Sequence, residues 1–299
     1  MIERLAIISP GLLGGSIARA AREKSAARRI AIWARRAETR TAIVKQPWCD
    51  DAPDTLAAAV AGAGLIIIAA PVDLIVPLTA EIAPHLTPGA IVTDVGSVKG
   101  AIARAGAEAL SRAQSDATIS GKRRDAASTA NQFVGSHPMA GSEKTGWEQG
   151  TATLFEGRTC FVTPIETTSE AAVRTVSKFW ETLGADVFTV TPELHDQIVA
   201  HISHLPQLLA SSLCSFLAGQ NPEWKNFAGG GLRDTTRIAG SDPQLWKSIL
   251  TSNQAPVLAA LRGLQAELAK CEQALAAGDW DEVAALMSRG KAYRDGFKA

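Results

Sequence analysis

His137 stands in the run Gly135-Ser136-His137-Pro138-Met139-Ala140-Gly141-Ser142-Glu143. An imidazole is the side chain best suited to take a proton near neutral pH. A glycine- and proline-bounded turn after the short β-like pair Phe133-Val134 is a place where a catalytic base can be held. A second chemistry-bearing segment opens the chain: Leu5–Ile8 runs into Ser9-Pro10-Gly11-Leu12-Leu13-Gly14-Gly15-Ser16, with a helix expected from about Gly14. Glycine lets the backbone approach a pyrophosphate closely, and the free N–H groups and positive dipole of a helix N-terminus stabilise its charge. Ser9, Gly11, Leu12, Leu13 and Gly14 are therefore expected to form a dinucleotide-binding turn. The end of the next apolar run reads Ile32-Trp33-Ala34-Arg35-Arg36, with no carboxylate until Glu38. Guanidiniums suit a ribose 2′-phosphate, which an acidic side chain would repel. Arg35 and Arg36 are thus expected to favour NADP over NAD; the competing reading is two solvated charges at a helix start.

These residues need elements to hold them. Leu5–Ile8, Ile30–Trp33, Leu65–Ala70 and Ile91–Val95 are continuous apolar runs, separated by Ala-rich helical segments at roughly 14–24, 39–45, 73–85 and 99–112. Continuous runs indicate strands covered on both faces, hence a parallel sheet. The expected class is α/β, a Rossmann-type doubly wound parallel sheet. Cys160–Pro164, a helix at 168–183 and Val187–Val190 add one more strand–helix–strand unit. From Pro192 onward only helical patterns remain, at 193–219, 243–275 and 279–290, the last with Trp280, Val283, Leu286 and Met287 at helical spacing. The expected division is a nucleotide-binding domain over 1–191 and an all-helical domain over 192–299. The polar stretch Ser111–Gln132 lacks an apolar period and reads as a mobile surface insertion.

Lys and Arg number 30, as do Asp and Glu, so no net field draws nucleic acid or an anionic membrane. The expected partner is a small molecule or a second copy of the chain. Cys49, Cys160, Cys214 and Cys271 match no metal-ligand spacing and read as buried thiols in a reducing compartment. The N-terminus lacks the basic start of a signal peptide, and no apolar run reaches the roughly 18 residues of a membrane span, so a soluble, cytoplasmic protein is expected.

The words GSHPMAGSE at 135–143, GSVK at 96–99, SHLPQ at 203–207 and GGGLRDTTRIAG at 229–240 together resemble the prephenate/arogenate dehydrogenase family of tyrosine biosynthesis. The resemblance spans nearly the whole chain apart from the polar stretch near 112–132. It implies oxidation of a cyclohexadienol at C4, with hydride passing to a nicotinamide and the ring carboxylate leaving as CO2. His137 would take the hydroxyl proton, and Ser97 would hydrogen-bond that hydroxyl or orient the imidazole. The loop Ala70-Pro71 would lie against the cofactor. Arg237 would bind the ring carboxylate with Asp234 in support, although Arg233 and Asp234 could equally form a local ion pair. Ser142, Glu143 and Lys99 match positions near the site or its gate, and the helical domain would form a homodimer.

Two departures from the family stand out. Ser9 occupies a position where the family's G-x-G-x-x-G has glycine. Gln207, one helical turn from Ser203, replaces a histidine of the prephenate-specific enzymes; a neutral amide tolerates the ammonium of arogenate, where a histidinium would favour the keto-carboxylate tail of prephenate. The resemblance therefore implies an NADP-dependent arogenate dehydrogenase activity. Prephenate or dual specificity is the near alternative. A hydroxyacid dehydrogenase using a helix-borne lysine would have only Lys225 or Lys247 for that role, and a non-catalytic NADP sensor is the most distant reading. His85, His195 and His201 read as structural or surface residues, and His204 as a packing residue. With the chain starting at the first strand and ending one helix beyond the dimer region, tyrosine feedback is expected to act by competition at the active site.

Overall fold

The computed structural model describes residues 1–119, 132–141 and 145–297. Among these residues, seven strands form one sheet in the order β2-β1-β3-β4-β5-β6-β7. They are β1 Ile2–Ile8, β2 Ala27–Trp33, β3 Leu65–Ile68, β4 Ile91–Asp94, β5 Gln132–Pro138, β6 Thr159–Thr163 and β7 Asp186–Thr189. β1 to β5 pair in parallel, β5 and β6 antiparallel, and β6 and β7 parallel. Every residue of β3 is fully buried, and successive residues point to opposite faces. Leu65 and Ile67 join Leu5, Ile7 and Ile32 in one core, while Ile66 and Ile68 join Ala6 and Ile8 in the other. Each such side chain contributes about 1.5–3 kcal/mol, which is why a run of four apolar residues suffices for a central strand.

The helices of this layer are α1 Leu12–Glu23, α2 Ala37–Ile43, α3 Leu56–Val60, α4 Val72–Ile82, α5 Gly100–Ile119 and α6 Glu170–Thr182. α1 begins at Leu12, two residues before the expected start, and the short α3 follows a Thr55 cap that the periodicity did not mark. The polar stretch expected as a surface insertion from Ser111 is, up to Ile119, the continuation of α5. Ala113 and Ala117, with Arg112 and Gln114, carry high helix propensity. The remainder of that insertion, 120–131, and the site candidates Ser142 and Glu143 lie outside the described residues.

From Pro192 the described chain is helical: α7 Pro192–Val199, α8 Leu205–Ala218, α9 Gly230–Thr236, α10 Pro243–Ser252, α11 Gln254–Ala277 and α12 Trp280–Asp295. The segment expected as one helix at 193–219 is interrupted by a π turn, Ala200–His204. Pro206 lacks the N–H that would continue the α ladder, and such wide turns form where that ladder is broken. Asn253 breaks the expected helix at 243–275 into α10 and α11. Trp280 and Met287 of α12 are exposed and no residue of that helix is buried in the single chain.

Candidate functional site

The dinucleotide end is built at the carboxyl edge of β1 to β3. Ser9, Pro10, Trp33, Arg35, Arg36, Thr39, Pro71 and Leu74 line a groove of about 640 Å3, with Glu81 and Glu148 also on its wall. The N-cap of α1 is Gly11, which offers no side chain to the first-turn N–H groups, and that turn carries no acidic residue. A Cβ at Gly11 would meet nothing within 4 Å, so the helix end is open to a phosphate. Ser9 adopts φ 68, the left-handed conformation that glycine takes without cost and other residues at roughly 1–2 kcal/mol. The serine has therefore kept the glycine-like turn instead of shifting it. Gly14 brings α1 against the sheet, where a Cβ would stand 3.2 Å from Ala69.

Gly15 admits a segment that the sequence reading did not connect with this groove. A Cβ there would stand 2.7 Å from the carbonyl oxygen of Trp147. The turn Trp147–Gln149 thereby packs on α1 and places Trp147 and Glu148 in the groove wall. Arg35 and Arg36 are exposed, and among the described residues neither has an ion-pair partner. Arg40 instead holds their loop, donating to the carbonyls of Ala34 at 2.8 Å and Arg35 at 3.1 Å and pairing with Asp54 at 3.0 Å. Open phosphate donors at the helix end and two unpaired guanidiniums at the groove rim fit a dinucleotide.

His137 lies within β5, not in a turn beyond it, and is 8% exposed. The strand continues through Pro138 because β6 pairs with it from Gly135 to Pro138. Behind the histidine is a buried polar layer. The Lys99 ammonium pairs with Asp94, both fully buried, and donates to the Ser136 carbonyl at 2.9 Å. Asp94 also accepts the N–H groups of Gly96 and Ser136. The Ser136 hydroxyl donates to the Asp94 carbonyl at 2.6 Å and accepts from Trp180 Nε1 at 3.0 Å. Gly135 makes room for this layer, since a Cβ there would stand 3.2 Å from Lys99 Cδ. Burial pulls Lys99 below its usual range against the opposing pull of Asp94.

His195, expected as a structural or surface residue, is fully buried and meets His137: Nδ1 of His137 lies 2.9 Å from Nε2 of His195. His195 Nδ1 lies 2.8 Å from Asp196 Oδ1, and Asp196 accepts the backbone N–H groups of Lys99 and Gly100, each at 2.8 Å. Burial, then the neighbouring His195, Lys99 and His204, hold His137 well below the usual 6.5, so its ring is neutral at physiological pH. Burial likewise lowers His195. Sequence position gave no sign of the pair, because the two histidines are 58 residues apart; only the contact of α7 with β6 and α5 unites them. Ser97 is half-buried, and the imidazole's Nδ1 is oriented by His195, not by the Ser97 hydroxyl.

In the helical layer Gln207 is buried and its Nε2 donates to Ser211 Oγ at 3.3 Å, while Ser203 is half-buried in the π turn. His204 is buried, as a packing residue would be: Nδ1 lies 3.1 Å from Asn253 Nδ2 and the ring meets Trp246 edge-on. Arg237 is exposed at the turn after α9. Arg233 and Asp234 form no ion pair among the described residues; Arg233 donates to the Ala228 carbonyl at 3.3 Å. His85, His201, Lys225 and Lys247 are exposed.

The doubly wound sheet with its open helix end and groove defines a nucleotide-binding protein of the Rossmann type. Residues 17–189 match the prephenate dehydrogenase nucleotide-binding domain and residues 191–289 the prephenate dehydrogenase dimerization domain, and the chain belongs to the prephenate/arogenate dehydrogenase family. It is 31% identical to a prephenate dehydrogenase of Bacillus subtilis, over 99% of this chain and 76% of that protein. It is 28% identical to a cyclohexadienyl dehydrogenase of Zymomonas mobilis, over 94% of this chain and 91% of the relative. The Aquifex aeolicus prephenate dehydrogenase solved with hydroxyphenyl propionate and NAD+ superposes with TM-score 0.87 at 27% identity, covering 98% of each chain. The Synechocystis arogenate dehydrogenase superposes with TM-score 0.81 at 29% identity, covering 98% of this chain and 99% of the other.

Proposed function

We propose that this dehydrogenase converts arogenate and NADP to tyrosine, CO2 and NADPH, as a homodimer, with residues 1–191 binding the dinucleotide and residues 192–299 completing the substrate site and the dimer. Ser9 to Gly14 and the Ala70-Pro71 loop hold the dinucleotide, and Arg35 and Arg36 bind its 2′-phosphate by paired, charge-assisted hydrogen bonds. The bound nicotinamide supplies a hydride acceptor. His137 takes the C4 hydroxyl proton as the C4 hydride departs, Ser97 hydrogen-bonds the same oxygen, and Arg237, with Asp234 beside it, holds the ring carboxylate. Loss of CO2 returns the bonding electrons to the ring, and the phenolate oxygen takes the proton back from His137. Atoms and charge then balance without a further reactant.

One observation carries arogenate over prephenate. Gln207 is a buried neutral amide whose Nε2 is engaged by Ser211, which leaves its carbonyl oxygen as an acceptor suited to an ammonium. A histidinium at that position would instead attract a keto-carboxylate. The Bacillus and Zymomonas relatives, named for prephenate and cyclohexadienyl substrates, make prephenate the specific competitor. The test is reduced-cofactor formation with arogenate or prephenate and with NADP or NAD, in all four combinations. Turnover confined to arogenate with NADP is expected, and Gln207→His shifts preference towards prephenate. Turnover with prephenate alone removes the Gln207 argument, and equal use of NAD removes that from Arg35 and Arg36. His137→Asn lowers kcat by about 10²- to 10⁴-fold with dinucleotide binding retained.

A further inference from the structure

His137 and His195 share one hydrogen bond, and the proton in it must belong to one ring or the other. Asp196 decides which. Its carboxylate accepts two backbone N–H groups, those of Lys99 and Gly100, at 2.8 Å each, so both of its oxygens act as acceptors. The ring nitrogen facing it at 2.8 Å, Nδ1 of His195, must therefore be the one that carries hydrogen. A neutral His195 then presents a lone pair at Nε2, and His137 Nδ1, 2.9 Å away, must be the donor. The lone pair of His137 is left on Nε2, which has no hydrogen-bond partner among the described residues. A neutral imidazole without this chain could hold its proton on either nitrogen, and only one tautomer leaves Nε2 able to accept.

We propose that His195 and Asp196 are positioning residues that lock His137 in the Nδ1–H tautomer, so that Nε2 is the atom that takes the substrate proton. The assignment rests on the reading of His137 as the base. The same carboxylate fastens α7, the first helix after the last strand, to the backbone at Lys99 and Gly100, just beyond Ser97. Register between the imidazole and the Ser97 loop is thereby set by one side chain. Phe161 of β6 closes the arrangement, meeting the His195 ring edge-on with centroids 5.3 Å apart, and His195 is fully buried from solvent.

Two measurements test the lock, one of them without turnover. With five histidines in the chain, nitrogen NMR of the ¹⁵N-histidine protein, assigned with His137→Asn, reads the tautomer of His137 directly. A pyrrole-type Nδ1 and pyridine-type Nε2 are expected; the reverse pattern overturns the proposal whether or not His137 is the base. In the second, His195→Gln places an amide oxygen where Nε2 now accepts, and His195→Phe offers no acceptor. The phenylalanine variant should lose kcat by roughly 10²- to 10³-fold at nearly unchanged KM for NADP, while the glutamine variant keeps most of it. Equal kcat in the two variants overturns the proposal. Should the phenylalanine variant not fold, the tautomer pattern in His195→Gln decides: retention of Nδ1–H on His137 supports the lock and its loss refutes it. Full activity of His137→Asn alongside an Nδ1–H pattern in the unaltered protein would instead retire the base assignment and leave the geometry standing.

Discussion

Acidification should destabilise this protein through histidines that fold neutral, and His204 allows the effect to be worked out. It is 1% exposed, and burial lowers its pKa from 6.5 to about 4. Because the folded value lies below the unfolded one, its contribution is fully present above pH 6.5 and is lost as pH falls through the window from 6.5 to about 4. Between about pH 7.5 and 5.0 the unfolded chain takes up a proton that the folded chain refuses, and linkage makes the loss about 2 kcal/mol. A folded value one unit higher still leaves roughly 1.6 kcal/mol by the same relation. The assay is urea unfolding at the two pH values and one fixed protein concentration, on the unaltered protein and on His204→Phe, which keeps a ring against Trp246 but cannot titrate. The fixed cost of depriving Asn253 of its acceptor cancels within each protein. The unaltered protein should lose about 2 kcal/mol more than the variant. Parallel losses, within about 0.5 kcal/mol, would refute the reasoning. His137 and His195, lowered in the same direction by burial, add acid sensitivity that remains in the variant.

Lys99→Met strands the fully buried Asp94 and should cost about 3–5 kcal/mol in urea unfolding, part of it recovered in the Asp94→Asn/Lys99→Met double variant. Ser9→Gly removes about 1–2 kcal/mol of left-handed strain against roughly 0.5–1 kcal/mol of added unfolded-chain freedom. The expected result is a slightly higher thermal midpoint and a dinucleotide Kd no weaker than before, whereas Ser9→Val lowers the midpoint. Gly15→Val drives a Cβ into the Trp147 carbonyl and should push the Trp147–Gln149 turn off α1. Fluorescence titration should then show dinucleotide binding weakened by about tenfold, near 1.4 kcal/mol.

The amino-acid order by itself carried the type and order of most elements, but not α3, the π turn at Ala200–His204 or the break at Asn253. The apolar run at Leu65–Ala70 reads as an inner strand and forms β3 over Leu65–Ile68, and the run into Gly11 and Gly14 reads as a strand entering a helix, which starts at Leu12; such features depend on neighbours a few positions away. Four separated words were enough to place the chain in its family. The site around His137 was legible only in part, as one histidine in a suggestive loop. That it sits in β5, that His195 holds its ring, that Asp196 orients His195 and ties α7 to α5, and that Lys99 spans a buried layer to Asp94 were decided by tertiary structure alone. The reason is physical. Periodicity tells which face of an element avoids water, but not which other element will cover it, and a hydrogen bond between residues 137 and 195 exists only once β5, β6 and α7 have packed. The same holds for Ser9: its side chain could be read, but its φ of 68 is imposed by the strand and helix on either side of the turn.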